Sequence, residues 1–311
     1  MLTWMPHYSG TSDPWGNIAI ANYNAFQLSV SKRASHGLSL NVNYTYSRHI
    51  DDAGTQRGGY DLPASVTASG RAWVHNRIDR SLSINSQPQN LSIYGVYQLP
   101  FGKGHYGGEH FLVRALLGGW QTGQIFQYSS GIPLAIVASC NATQNVGQGT
   151  CMPDLNPAFS GSPRINGGWG SGITAATLGT KQYLAGGIGT TLSGDGAGST
   201  TTARIACSAS TGPFCNSGDY MVGDSPRIAP YNLRGPGLYR LTSNIHRTFD
   251  LTDRAKFIFG VDCQNVTNHT TFGSNASNNS IIVNVNSATF GTLNAASSDA
   301  RAFQFSGRFT F

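Results

Sequence analysis

The residue types that could do chemistry in this chain are few and are poorly spaced for catalysis. Gly102-Lys-Gly104 lacks the G-x-x-x-x-G-K-[ST] spacing of a phosphate-binding loop, and Gly194-Asp-Gly-Ala-Gly198 lacks the flanking acidic positions of a calcium loop. No G-x-S-x-G nucleophile element occurs, and the 8 histidines show no H-E-x-x-H or comparable metal-ligand spacing. We therefore expect no catalytic residue, no metal site and no cofactor, and we predict that the chain is not an enzyme.

The 5 cysteines offer redox chemistry instead. Four of them lie in one polar, glycine-rich region and form two close pairs, Cys140 with Cys151 and Cys207 with Cys215. This spacing favours two loop-closing disulfides in an oxidising compartment. A zinc site is the alternative, although the spacings are not C-x-x-C and no histidine lies nearby. Cys263 has no partner by spacing and lies in a predicted strand.

The composition is that of an all-β, loop-rich protein. Charged residues make up 11% of the 311 residues, against about a quarter in typical soluble domains. Glu109 is the only glutamate and there are 39 glycines, so the usual makings of solvent-exposed helices are missing. The net charge of +6 is spread along the chain without a Lys/Arg run, so nucleic acid is not expected as a partner.

No part of the sequence predicts a helical membrane span. No stretch approaches the roughly 18 uninterrupted apolar residues that a transmembrane helix needs, so any membrane span would have to consist of strands. The first residues, Met1 to Gly10, lack a basic segment followed by an apolar one, so no signal peptide is visible.

Apolar and polar residues alternate with a period of two in several segments, which predicts antiparallel strands. Seven strands are expected, near 23–34, 37–48, 89–101, 118–130, 236–250, 254–266 and 301–311. The fourth is expected to continue past a kink into 132–137. Short connections alternate with long loops at 49–88, 138–235 and 265–300, as in bacterial transmembrane barrels, where the short turns are periplasmic and the long loops extracellular.

Each predicted strand has an apolar and a polar face, because side chains alternate across a strand. The last strand shows this, since Phe303, Phe305, Phe309 and Phe311 alternate with polar residues. In a transmembrane barrel the apolar face contacts lipid and the polar face lines a water-filled lumen. The residues expected to line the lumen are Asn41, Asn43, Arg240, Asn244, His246, Asp262, Gln264 and Arg308.

The aromatic residues favour the barrel over a soluble β-sandwich. Trp120 and Phe257 fall near the periplasmic ends of their strands, whereas Tyr44 falls near the outer rim. Aromatics at two levels are typical of the interfacial girdles of a barrel in a bilayer, and a sandwich gives no reason for them. Arg247 points outward by parity and is expected to extend its charge towards water at the periplasmic rim.

Several short phrases also carry a family resemblance. They include Tyr97-Gln-Leu-Pro-Phe-Gly102, Leu117-Gly-Gly-Trp-Gln121, Asn232-Leu-Arg-Gly-Pro-Gly237 and Asp262-Cys-Gln-Asn-Val-Thr-Asn-His269. In this order they resemble the end of the β-barrel of TonB-dependent outer-membrane receptors, in particular the Oar-like group with a carboxypeptidase-regulatory-like domain. The resemblance covers most of the chain except the cysteine-bearing loop.

The resemblance implies a bacterial outer-membrane protein whose barrel has some 22 strands. Such receptors carry a signal peptide, a TonB-contacting segment and a plug before the barrel, and none of these precedes residue 23. The chain is therefore expected to be a C-terminal fragment that contacts the TonB complex only through the missing plug.

In function, the resemblance implies energy-coupled uptake of a large solute that the long loops capture, with the lumen residues contacting the plug or the passing solute. It also implies that the terminal phenylalanines, Phe303, Phe305, Phe309 and Phe311, are a signal for the barrel-assembly machinery. The alternatives are a structural or adhesive surface protein without transport activity and a secreted hydrolase on a β-scaffold.

Overall fold

The fold is known from a computed structural model. It describes residues 20–52, 80–101, 106, 118–138, 152–165, 182–185, 207–208, 212–216, 223–252, 254–272, 281–293 and 300–311. Among these residues, none belongs to a helix that is long and apolar enough to cross a membrane.

The described elements are almost entirely strands, and all of the pairings between strands are antiparallel. The predicted all-β, antiparallel fold class is thus confirmed. One 3-10 helix spans Pro230–Asn232. The strands are β1 (Ala21–Ser35), β2 (Leu38–Asp51), β3 (Ser81–Leu82), β4 (Gln89–Gln98), β5 (Trp120–Ser129), β6 (Asp154–Leu155), β7 (Phe214–Cys215), β8 (Leu238–Asp250), β9 (Lys256–Gln264) and β10 (Ala302–Thr310).

One large sheet, here called the wall, contains all strands except β6 and β7. Its order is β1-β2-β4-β5-β8-β9-β10, with the short β3 paired to the end of β2. Long strands that neighbour each other in the sheet also follow each other along the chain. Within the described residues β1 and β10 are the edges and do not pair with each other, so the sheet is not closed.

Short connections lie at one end of the wall. Between β1 and β2, His36 and Gly37 both have positive φ, 52° and 79°, which is the backbone of a two-residue hairpin turn whose twist matches that of the strands. β8 and β9 are joined by residues 251–255. We call this the short-turn end of the wall and the opposite end the long-loop end.

The predicted long loops are partly wrong in their extents. The predicted start of the loop at 49–88 is too early, because β2 continues to Asp51, which pairs with Ser81 of β3. The loop at 138–235 contains β6, β7 and the 3-10 helix. The predicted continuation of the fourth strand into 132–137 is also wrong.

The segment after β5 alternates as predicted but enters a different structure. β5 ends at Ser129, and Ile132, Leu134 and Ile136 are then almost fully buried. They pack into a cluster built from the long connections, where they are shielded from water by other apolar side chains. A two-residue alternation of apolar and polar residues cannot distinguish a strand of the wall from a segment that packs into this cluster.

We call this cluster of connections the loop cap. It comprises residues 131–138, 152–165, 182–185, 207–208, 212–216, 223–237, 265–272 and 281–293. Its apolar core consists of Leu134, Ile136, Ala138, Tyr183, Leu184, Phe214, Leu233, Phe272, Ile281, Val285, Phe290 and Leu293. The wall thus carries at one end a folded unit with a core of its own.

Candidate functional site

The strand register places all eight predicted lumen residues on one face of the wall. Asp262 pairs with Gln304 of β10 and with Asn244 of β8, and Asn244 pairs with Gly123 of β5. The same row continues through Val96 and Ser39. Because paired residues share a face, Asn41 and Asn43 lie on the same side as Arg240, His246, Gln264 and Arg308. We call this side the polar face.

Glycines in the wall make room for polar side chains on this face. The Asn244 Oδ1 atom accepts a hydrogen bond of 2.8 Å from the backbone N–H of Gly123. A Cβ atom at Gly123 would lie 2.5 Å from that oxygen. At Gly260 a Cβ atom would lie 2.5 Å from Ser306 Oγ and 2.8 Å from His246 Cδ2. Asn244 and His246 therefore lie against the wall.

The other predicted lumen residues differ in how they are held. His246 Nε2 lies 3.4 Å from Asp262 Oδ1, and Asn43 Oδ1 accepts a hydrogen bond of 2.8 Å from Ser29 Oγ. Arg240, Gln264 and Arg308 are exposed. The polar face therefore carries both side chains that contact a polar neighbour and side chains that are exposed.

The opposite side of the wall, here called the apolar face, carries the four terminal phenylalanines of the assembly-signal prediction. Phe303, Phe305, Phe309 and Phe311 are exposed. Near the short-turn end the rings gather into a cluster, with centroids 4.6 Å apart for Phe257 and Phe309 and 6.1 Å apart for Phe249 and Phe257.

Two arginines join the loop cap to the wall, in what we call the wall–cap joint. Arg227 comes from the cap and forms a buried ion pair with Asp51 at the end of β2; its Nη2 also donates to the backbone oxygen of Asp51 at 3.2 Å. Arg234 Nη1 donates to the backbone oxygens of Ser86 and Gly131. Burial lowers the pKa of Arg234 from its ordinary value. The joint is polar, in contrast to the core of the cap.

Inside the cap, one disulfide and several rings hold the connections together. Cys207 and Cys215 are disulfide-bonded, with 5.2 Å between their Cα atoms. Cys140 and Cys151 lie outside the described residues. The ring of Phe214 contacts Tyr231 and Phe290 edge-on, with centroids 5.7 and 6.0 Å away. Cys263 is a buried free cysteine in β9.

Tyr183 links the core of the cap to the joint. Its hydroxyl donates to the backbone oxygen of Arg234 at 3.1 Å, and the guanidinium of Arg164 lies 5.0 Å from its ring centroid. Burial raises the pKa of Tyr183 to about 12, although the nearby charge of Arg164 acts in the opposite direction.

The cap also holds a pair of carboxylates, Asp154 and Asp224, which fix each other's backbone. Asp154 Oδ1 accepts from the N–H of Asp224 at 2.9 Å, and Asp224 Oδ1 accepts from the N–H of Leu155 at 2.7 Å. Burial, together with the charge of Asp224, raises the pKa of Asp154 against the effect of its backbone hydrogen bond. No group of three or more metal-ligating side chains occurs within the described part of the chain.

Sequence reasoning missed the cap core and the joint. Asp51 and Arg227 are 176 positions apart, and neither belongs to a motif. The phrase Asn232-Leu-Arg-Gly-Pro-Gly237, which contains Arg234, is the one signal in the sequence that pointed to this region.

Comparison with known proteins gives one match. Residues 4–304 match the family described as outer membrane beta barrel domain. No curated protein matches the chain, and neither does any solved structure.

Proposed function

Because the chain belongs to the outer membrane beta barrel domain family and is thus a protein of the bacterial outer membrane, we propose that it works as part of a TonB-dependent receptor. In this proposal the wall is the C-terminal portion of a larger barrel of some 22 strands. The whole barrel captures a large solute outside the cell and takes it up across the outer membrane with energy from the TonB complex.

The predominantly polar face, interrupted by Tyr94, Val96 and Ile125 on β4 and β5, is the observation that carries this proposal. A row of paired residues crosses the wall from β10 to β2 without an acidic or basic cluster, and Asn, Gln, Ser and Thr dominate the face around it. Uncharged amides and hydroxyls both donate and accept hydrogen bonds, so they suit a polar, uncharged surface such as a plug or a sugar-like or peptide-like solute. Such a face is also typical of a barrel lumen.

The proposal gives the loop cap and the terminal strand separate roles. The cap stands at the long-loop end, which is extracellular in barrels of this kind, and there it would meet the solute first. The exposed phenylalanines of β10 would be recognised by the barrel-assembly machinery and would then contact lipid. The TonB complex would be reached through a plug encoded by the same gene.

Binding of TonB to the full-length gene product tests the proposal. The protein is purified from outer membranes, its folding is checked by heat-modifiable migration, and its association with the periplasmic domain of the host's TonB is measured by pull-down. Saturable binding is expected, and it should be lost when the TonB-contacting segment is deleted. A folded protein that does not bind TonB would contradict energy-coupled uptake.

Growth supplies the second half of the test. A strain lacking the gene is compared with its parent on a panel of large nutrients, namely glycans, peptides and iron chelates. We expect a defect on at least one of them that the intact gene rescues and a gene without the TonB-contacting segment does not.

A structural or adhesive surface protein is the second candidate, and the loop cap is the observation that favours it. A cap with its own apolar core and disulfide presents a fixed extracellular surface, as a surface-binding protein requires. Under this alternative, loss of the gene reduces adhesion or alters the cell surface while TonB binding and nutrient growth are unchanged. In either case we propose a binding protein and not an enzyme.

A further inference from the structure

The apolar face of the wall carries very few charges. By strand parity, and leaving out Arg33 at the register shift of β1, the charged residues on this face of the described strands are Lys32, Arg48 and Arg247, all of them cations. Arg247 lies three positions before Asp250, the last residue of β8, and Lys32 lies three positions before Ser35, the last residue of β1. Both cations are therefore close to the short-turn end, which is periplasmic in outer-membrane barrels.

Arg247 lies among aromatic rings at this level. Its guanidinium carbon is 4.4 Å from the ring centroid of Phe249 and 5.6 Å from that of Trp120. Trp120 is its cross-strand partner on β5 and Phe259 its partner on β9. The side chain is largely covered beside these rings, with 9% of the residue exposed.

The chemistry of guanidinium explains what such a site can bind. Stacking on an aromatic ring uses the face of the planar group, whereas its five N–H donors lie in the plane and match the oxygens of a phosphate. An arginine on the lipid side of a barrel costs about 2–4 kcal/mol at the bilayer midplane and about 0–1 kcal/mol near the interface. Because Arg247 lies three positions from the end of β8, we expect it near the interface, where this cost is small.

We propose that Arg247, Trp120 and Phe249 form a binding site for the headgroup phosphate of a net-anionic phospholipid in the periplasmic leaflet of the outer membrane. Phe249 and Trp120 hold the guanidinium by its face and contact the upper acyl chains. Arg247 presents its edge to the phosphate. A zwitterionic lipid binds less well, because the cationic group of the same headgroup offsets the phosphate charge.

Trp120 makes the test direct, because it lies beside Arg247 and reports on nearby lipid. Every other tryptophan of the full-length protein, including Trp4, Trp15, Trp73 and Trp169, is replaced by phenylalanine. The protein is reconstituted in vesicles of phosphatidylcholine that contain increasing fractions of phosphatidylglycerol, with one of the two lipids brominated on its acyl chains. Quenching of Trp120 then gives the relative association constant of the two lipids at this position.

We expect a preference for phosphatidylglycerol of about fivefold, the size that one basic residue near an anionic surface provides. The preference should fall to about one in Arg247→Met. Arg308→Met is the matched control, since it removes the same charge from the polar face near the same end, and its preference should stay at the parental value. No preference in the parental protein, or an unchanged preference in Arg247→Met, would overturn the proposal.

A second variant and a comparison of two salts complete the experiment. If Arg247→Met fails the heat-modifiability check, Arg247→Gln is measured in its place with the same expectation. Inorganic phosphate is also compared with chloride at equal ionic strength, and the two should affect the preference equally. A selective loss of the preference with phosphate would assign the site to the free ion and would contradict binding of a lipid headgroup.

Discussion

The wall and the loop cap place their apolar side chains in opposite ways. In the wall, Phe305 and Phe309 point away from the protein and are exposed. In the cap, Phe214 and Phe290 point inward and are almost fully buried. The wall uses lipid as its apolar phase, whereas the cap stands in water and must supply an apolar phase from its own residues. The same chain therefore exposes its apolar side chains in one region and buries them in the other. Along the chain, one change between the two arrangements lies between the end of β5 and Ile132.

The two regions are also stabilised differently. The wall depends on backbone hydrogen bonds between strands, which lipid cannot replace, and the cap depends on buried apolar area. In the described part of the chain they meet at the polar joint of Asp51, Arg227 and Arg234 and at the ring contact of Tyr239 with His269, and the apolar core of the cap includes no wall strand residue. We therefore expect that the cap can unfold while the strands of the wall stay paired. The following substitutions test whether the two regions unfold independently.

The largest difference is expected between Phe290→Ala and Phe305→Ala. Phe290 fills the cap core, so its loss should cost about 3–5 kcal/mol of cap stability, as for other buried phenylalanines. Hydrogen–deuterium exchange of peptides from 131–138 and 281–293 should rise sharply while heat-modifiable migration is retained. Phe305→Ala should leave cap exchange unchanged and lower the yield of folded protein in the membrane. If Phe290→Ala also abolished heat-modifiable migration, the two regions would be one cooperative unit.

The buried ion pair of the wall–cap joint gives the next largest effect. Arg227→Met leaves the carboxylate of Asp51 buried without its cation, and Asp51→Leu does the reverse, so each should cost about 3 kcal/mol. The double variant should recover much of this loss, because two apolar side chains satisfy each other. Exchange of 223–237 measures the coupling. Additive losses in the double variant would mean that the pair does not hold the cap on the wall.

Much of the wall could be predicted because its signal is local. The segment from Leu38 to Tyr46 alternates in the sequence, and alternation over so few residues already determines which side chains share a face. The match of residues 4–304 confirms the outer-membrane barrel and the outer-membrane localisation. The TonB-dependent group and the 22 strands stay predictions, since they depend on residues that would pair with β1.

The cap could not be predicted because its contacts are distant and aperiodic. Leu134, Phe214 and Phe290 meet in one core, yet about 80 residues separate each from the next, and β8 and β9 lie between the last two. Leu134 lies in an alternating segment that predicts a strand, and isolated apolar residues such as Phe214 and Phe290 look like ordinary loop residues, since nothing local distinguishes a buried one from an exposed one. The Asp51–Arg227 pair has the same difficulty, because its two residues are 176 positions apart.

Alkaline pH should weaken the cap before it affects the wall. The pKa of Tyr183 is about 12 in the folded cap against an ordinary value of 10.0. A raised pKa means that the neutral form is favoured by folding, so its contribution of roughly 2–3 kcal/mol is complete below pH 10 and is lost as the pH rises towards 12. The protection of 182–185, taken as exchange relative to the intrinsic hydroxide-catalysed rate at each pH, should therefore fall across this range. In Tyr183→Phe this slope should flatten, at the cost of about 1 kcal/mol for the lost hydrogen bond. An unchanged slope would place the alkaline sensitivity elsewhere.

The smallest effect is expected at Gly260. It compares the wall with the cap by how tightly each is packed around a glycine. An added methyl group at Gly260 meets Ser306 Oγ and His246 Cδ2, which are side-chain atoms rather than backbone atoms, so relief requires only a small shift of these side chains. Gly260→Ala should therefore cost about 1 kcal/mol or less in urea titrations followed by heat-modifiable migration.

Gly223→Ala is the matched control in the cap. Its methyl group would fall against the backbone carbonyl of Met152, which is fixed within a packed unit and cannot turn aside. Cap exchange should therefore rise in Gly223→Ala and stay at the parental level in Gly260→Ala. Equal costs at the two glycines would show that the polar face is packed as tightly as the cap, and the plug or solute that we expect to meet His246 would then find no adaptable surface there.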